Sequence, residues 1–155
     1  MTLGIIIGIL LVVAGMALWG GIILHHRRSV SRTPEWVHQT THRIPADQLI
    51  AWIDEVVNAR QLYRQPNMSA KQLATELKLP ERQMKHAINY ACNKTVTEYL
   101  NDRRIQAACT MLRKKKSMSI DRISQQTGFA SPKAFQTVFI RTMGQTPDDY
   151  RRQMK

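Results

Sequence analysis

The chain opens on an unbroken apolar run and becomes periodic only later. Leu3 to Leu24 reads LGIIIGILLVVAGMALWGGIIL and carries no charge. As a helix these residues would extend about 33 Å, enough for the ~30 Å hydrocarbon core of a bilayer. A cleaved leader fits less well: no basic residue precedes the run, the run is too long, and no small-x-small cleavage site comes after it. Ser29 to Pro45 is polar, rich in Ser, Thr and His, and reads as a tether. Fully extended it reaches about 56–61 Å. From Ala46 to Arg64 apolar residues recur at helical spacing (Leu49, Trp52, Ile53, Val56, Val57), predicting an amphipathic helix that packs on the C-terminal domain. Pairing of two copies through this stripe is the alternative.

Beyond Pro66-Asn67 the pattern is of short helices with sharp turns. Ser69 and Gln72 form a capping box for a helix from Ala70 to Leu77. Lys78-Leu79 make a turn, and Pro80 starts a second helix reaching about Cys92, with Leu73, Ala74, Leu77, Leu79, Met84 and Ile88 as core. Thr95 and Glu98 form another box, opening a long helix from about Val96 to Leu112. From Ser119 to Tyr150 the layout repeats: Ile120, Ile123 and Phe129 meet Phe135, Val138 and Phe139. Gly128 stands where a helix must end sharply, Ser131 caps the next one, and Pro132 takes its first position. A third helix starts after Thr146-Pro147. The expected fold is all-α: one N-terminal transmembrane helix, then a helical domain with two helix-turn-helix motifs joined by a long connecting helix.

Charge narrows the partner. The formal charge is +12, and from Gln65 onward there are 17 basic residues against 7 acidic, a net of +10. Such a domain suits a polyanion: DNA, RNA or an anionic membrane surface. Cys92 and Cys109 fall within helical stretches with no CxxC pair, so they read as small core residues in a reducing compartment. His38 and His42 are four apart but have no further ligands beside them, so they read as solvated, and no metal or other cofactor is expected. No nucleophile–base arrangement, phosphate loop or dinucleotide fingerprint points to an enzyme.

The residues Gly128-Phe129, Ser131, Phe135, Phe139, Gly144, Thr146-Pro147, Tyr150 and Arg151 resemble the closing signature of the AraC/XylS family of transcription regulators. Tyr99, Leu100, Arg104, Ile105, Ala108 and Leu112 match that family's connecting helix, Arg104 and Ala108 most tellingly. The first motif is similar more loosely: Lys78 replaces the usual turn Gly, and Pro80 the usual Ser cap. Leu62 to Met68 is similar to members whose DNA-binding domain comes after several membrane spans; here one span is expected. The resemblance covers roughly residues 60–152. It divides the chain into a transmembrane anchor with basic flank (1–28), a polar linker (29–45), an amphipathic helix (46–65) and a double helix-turn-helix domain (66–155).

The resemblance implies that helices 80–92 and 132–142 enter successive major grooves on one face of double-stranded DNA, about 34 Å apart. Inward-facing core residues leave Arg82, Gln83, Lys85, His86 and Asn89 outward on the first, and Lys133, Ala134, Gln136 and Thr137 outward on the second, with Arg141 one turn on. Arg or Lys suits guanine, Gln or Asn suits adenine, and the Ala134 methyl suits thymine. Ile140 stands where the family usually has a basic residue, so one phosphate contact is in question. The run Arg113 to Lys116 complements its helix dipole or meets phosphate.

His25 to Arg28, with Arg32, lie just after the apolar run, placing the C-terminal part on the cytoplasmic side of a bacterial inner membrane in a single pass. The family's sensor domain is missing, since residues 29–65 are too few for one; a signal would then come from a membrane sensor partner or the membrane itself. RNA polymerase recruitment is implied by the resemblance alone. Gly4 and Gly8, and Ala17 and Gly21, have the spacing of close helix pairs in membranes, so a homodimer is a second possibility. The competing function is an inner-membrane accessory protein whose helical domain binds a protein partner.

Overall fold

The computed structural model describes residues 45–114 and 117–153. The apolar run Leu3 to Leu24, the tether up to Ile44 with His38 and His42, and Lys115 and Lys116 lie outside these residues. No helix among the described residues is long and apolar enough to cross a membrane.

The described residues hold seven α-helices. They are α1 (Ala46–Ala59), α2 (Ala70–Leu77), α3 (Glu81–Cys92), α4 (Val96–Lys114), α5 (Ile120–Gln126), α6 (Pro132–Met143) and α7 (Pro147–Gln153), with a 3-10 turn at Leu62–Arg64 between α1 and α2. Local capping agrees with the sequence. The Ser69 hydroxyl accepts from the Gln72 amide while the Gln72 side chain accepts from the Ser69 amide. Thr95 and Glu98 exchange the same pair of bonds at the start of α4. Ser119, Ser131 and Thr146 each accept the amide three residues on, opening α5, α6 and α7. Each cap satisfies a donor that the helix leaves orphaned.

One boundary differs materially from expectation. The amphipathic helix does not run to Arg64: it ends at Ala59, Gln61 turns left-handed at φ 52°, and a 3-10 turn comes next. Unwinding turns Leu62 and Tyr63 inward, where both are buried, and frees the Tyr63 carbonyl to accept from Arg104 Nε at 2.8 Å. Smaller shifts occur elsewhere: Pro80 caps α3 rather than opening it, and α4 continues to Lys114. Trp52, Ile120 and Val138 are half-buried rather than central.

α1 lies along α3, and its Leu49, Ile53, Val56 and Val57 are buried. The stripe is therefore occupied within the chain, which removes it as a surface for pairing two copies. Asp54 of α1 reaches α4, accepting from the Tyr99 hydroxyl and from Arg103 Nη2, the latter at 2.7 Å. Burial, then this hydrogen bond, pushes the Tyr99 phenol far above its ordinary value. The C-terminal half of α4 supplies Ile105, Ala108, Cys109 and Leu112 to a second core with Ile123, Phe129, Phe135, Phe139 and Tyr150. Its rings meet edge-on in series: Phe129–Phe135 at 5.2 Å, Phe135–Phe139 at 5.4 Å and Phe139–Tyr150 at 5.7 Å. α4 is thus the shared wall of two helix-turn-helix units, α2–α3 and α5–α6.

Candidate nucleic-acid interface

The two units are built to one plan. Both second helices end on a left-handed residue, Asn93 (φ 51°) and Gly144 (φ 71°). Beyond each lie a threonine cap and a buried tyrosine, Thr95 with Tyr99 and Thr146 with Tyr150. Each second helix turns one face to the core and the other to solvent.

On α3, Met84, Ala87 and Ile88 are buried, as the helical spacing requires. Arg82, Lys85, His86 and Asn89 are exposed and Gln83 is half-buried. Arg82 makes no ion pair with a described residue. Lys85 Nζ lies 2.5 Å from Glu81 Oε1 one turn back, an exposed pair of small energetic value that a phosphate could displace. His86 stacks nearly parallel on Tyr90, with ring centroids 6.0 Å apart. Tyr90 is 75% exposed, and helical spacing does not mark it as a contact residue. The available signal is compositional: an aromatic on a polar helix face is out of place unless something covers it.

On α6, Phe135 and Phe139 are fully buried, and Val138 half so. Lys133, Ala134, Gln136, Thr137 and Arg141 are all exposed. Ser131 fixes the start of this helix by accepting from the Ala134 amide at 3.2 Å. The Thr137 hydroxyl donates to the Lys133 carbonyl, leaving its lone pairs available. Ile140 is 44% exposed beside them, a large apolar side chain at the open end of the face. The two candidate sets thus sit on two separate exposed helix faces, five residues on each.

Neither cysteine belongs to these faces. Cys109 is buried, Cys92 half-buried and both are free. Burial pushes the Cys109 thiol up, which holds it protonated and inert. Among the described residues, no three His, Cys, Asp or Glu side chains gather as a metal site would require.

A family model for a helix-turn-helix domain matches residues 73–153. The regulatory protein SoxS of Escherichia coli K12 is 27% identical over 114 residues, covering 74% of this chain and 99% of SoxS. Among solved structures, the C-terminal domain of the two-component response regulator yesN from Fusobacterium nucleatum superposes with a TM-score of 0.58 at 20% identity, over 67% of this chain and 98% of that one. The DNA-binding domain of AdpA, a global transcriptional factor solved with a target DNA, superposes with a TM-score of 0.56 at 22% identity, over 72% and 93%. These likenesses establish a shared fold.

Proposed function

The chain belongs to the helix-turn-helix domain family, and from that premise we propose that it is a sequence-specific DNA-binding transcription regulator of AraC/XylS type, held at the bacterial inner membrane by Leu3 to Leu24. The single observation that carries the DNA reading is the duplicated exposed face. Arg82, Gln83, Lys85, His86 and Asn89 on α3 recur in kind as Lys133, Ala134, Gln136, Thr137 and Arg141 on α6, each over a buried apolar face. Two such helices on one rigid wall suit two successive major grooves. The net charge of +10 from Gln65 onward supplies the phosphate attraction that any such binding needs. AdpA, whose DNA-binding domain shares the fold, and SoxS, similar in sequence, are regulators by name and support the same reading.

The mechanism is binding, with no bond chemistry. Arg82 and Lys133 enter first, near their helix N-termini, and donate to guanine edges or phosphate. Gln83, Asn89 and Gln136 suit adenine, and Ala134 suits the thymine methyl. Anchoring rests on the apolar run, and the basic flank His25 to Arg28 beside it supports a cytoplasmic side for the domain, with the chromosome. RNA polymerase recruitment completes the proposal and rests on the AraC/XylS resemblance alone.

The test is selection from random duplexes by the full chain in lipid nanodiscs. The expected product is one bipartite motif whose halves lie about one helical turn apart. Enrichment of no motif, with salt-sensitive binding to every duplex alike, overturns sequence-specific reading.

A further inference from the structure

The short segment between α1 and α2 touches both reading units. It belongs by chain to the first, since it joins α1, which backs α3, to α2. Yet its backbone lies directly against the turn of the second. A Cβ built on Gly128 would fall 2.5 Å from the Tyr63 carbonyl oxygen and 2.7 Å from the Arg64 carbonyl carbon and Cα. No side chain fits there, because the obstacle is backbone and cannot swing aside. Arg104 ties the same segment to α4 from within. Its Nε donates to the Tyr63 carbonyl at 2.8 Å, one Nη to the Gln65 carbonyl at 3.0 Å, and the other to Asn101 at 3.1 Å. The guanidinium also lies 5.6 Å from the centre of the Phe129 ring, the residue after Gly128. One buried cation therefore joins the segment, the connecting helix and the second turn.

We propose that Gln61 to Gln65 is a splint that fixes the angle between the two reading heads, and that Gly128 and Arg104 are the positioning residues through which it acts. The inference rests on the DNA reading above and specifies how half-site spacing is set. α4 alone joins the heads by side-chain packing along one helix, which leaves rotation of the second unit about that wall weakly opposed. The splint adds a second tie off the helix axis, and two non-collinear ties remove that rotation. For a bipartite reader the consequence is large. The second head binds at an effective concentration set by geometry, and gains of about 10²–10⁴ vanish when the geometry no longer matches.

The test uses full-length protein in nanodiscs and the bipartite duplex that wild type selects. Its companions are duplexes with spacing changed by single base pairs and a duplex holding one half-site. Arg104→Lys keeps the charge but replaces the planar fork, whose Nε and Nη reach the two carbonyls from two positions, by a single ammonium. Gly128→Ala places a methyl against the splint. Gly144→Ala is the control: Gly144 also has a positive φ (71° against 88° at Gly128) in the same unit, with nothing within 4 Å of the added carbon. The expected result is that Arg104→Lys and Gly128→Ala bind the single half-site as wild type does. They lose about tenfold or more on the bipartite duplex and tolerate altered spacing, while Gly144→Ala keeps the wild-type spacing preference.

Circular dichroism melts show whether each variant is folded, and Arg104→Lys carries the test if Gly128→Ala is not. Wild-type spacing preference in folded Arg104→Lys overturns the splint. So does an equal loss on half-site and bipartite duplexes, which marks a merely structural role. If wild type itself selects no motif, the DNA reading fails first and the splint with it.

Discussion

Lys78, Asn93, Gly128 and Gly144 all take left-handed backbone, yet they tolerate substitution differently. Left-handed φ costs an L-residue roughly 1–2 kcal/mol. Lys78 and Asn93 bear that cost in the open. Lys78→Gly should therefore raise stability by about 0.5–1 kcal/mol, the relief being partly offset by glycine's extra freedom when unfolded. Gly144→Asn should stay within about 1 kcal/mol, since asparagine tolerates this region and nothing lies nearby. Gly128→Asn should cost more than about 3 kcal/mol, strain adding to a backbone clash. Denaturant melts of the three variants check the order. The sequence marks Gly128 as a turn glycine and Lys78 as a departure from the family pattern. It does not show why one position accepts lysine and the other cannot, because Tyr63 and Arg64 are far from Gly128 along the chain. Ser124 offers a second residue-scale expectation. Its hydroxyl is fully buried with no partner among the described residues. Ser124→Ala should stabilise by about 1 kcal/mol by removing an unsatisfied polar group; an unchanged or lower melting temperature would show that the hydroxyl is satisfied.

At the scale of elements, the helices were legible because caps and apolar spacing agree. Ser69 with Gln72, Thr95 with Glu98 and Ser131 all cap as their spacing predicts. The end of α1 was not legible, because Arg60 to Arg64 has no Gly or Pro and the donor that takes up the freed Tyr63 carbonyl, Arg104, is distant along the chain. Two caps carry a pH signature. Hydrogen bonds from the Thr95 backbone amide and then its hydroxyl hold the Glu98 carboxyl below its ordinary 4.5. The Thr146 hydroxyl, then Arg152, holds Asp149 below 3.8. A depressed carboxylate contributes stability that is present above the unfolded pKa and lost as pH falls through the folded one. The Glu98 cap should thus weaken as pH falls below about 4.5 and the Asp149 cap below about 3.8, so that the start of α4 frays before that of α7. Glu98→Gln keeps a capping-box side chain but removes the titration. Its melting temperature, measured from pH 7 to pH 3, should fall less steeply than that of wild type. Parallel curves would remove Glu98 from the acid response.

At the scale of the whole molecule, the described residues form a reading device whose wall, α4, and splint are both internal. On the proposed reading its attachment to the membrane limits where it can search rather than what it reads. A C-terminal reporter fusion gives a direct check on the anchor: activity with a cytoplasmic reporter and none with a periplasmic one is expected, together with resistance to carbonate extraction. The candidate contacts other than half-buried Gln83 were legible as exposed positions, since burial of Met84, Ala87, Ile88, Phe135 and Phe139 leaves the opposite face to solvent. Tyr90 was not, because helical spacing treats every outward residue alike, and its one mark in the sequence is being an aromatic on a polar face; the structure leaves it 75% exposed.

Reading of a bipartite DNA sequence through α3 and α6 by the membrane-attached chain is open to chromatin immunoprecipitation of the chain in cells, beside an Arg82→Ala/Lys133→Ala double variant made to the same level. Sharp peaks sharing one bipartite motif are expected in wild type and their loss in the variant, with both proteins in the membrane fraction. Wild-type protein in the membrane with no motif-bearing peaks, or peaks that persist unchanged in the double variant, would contradict it.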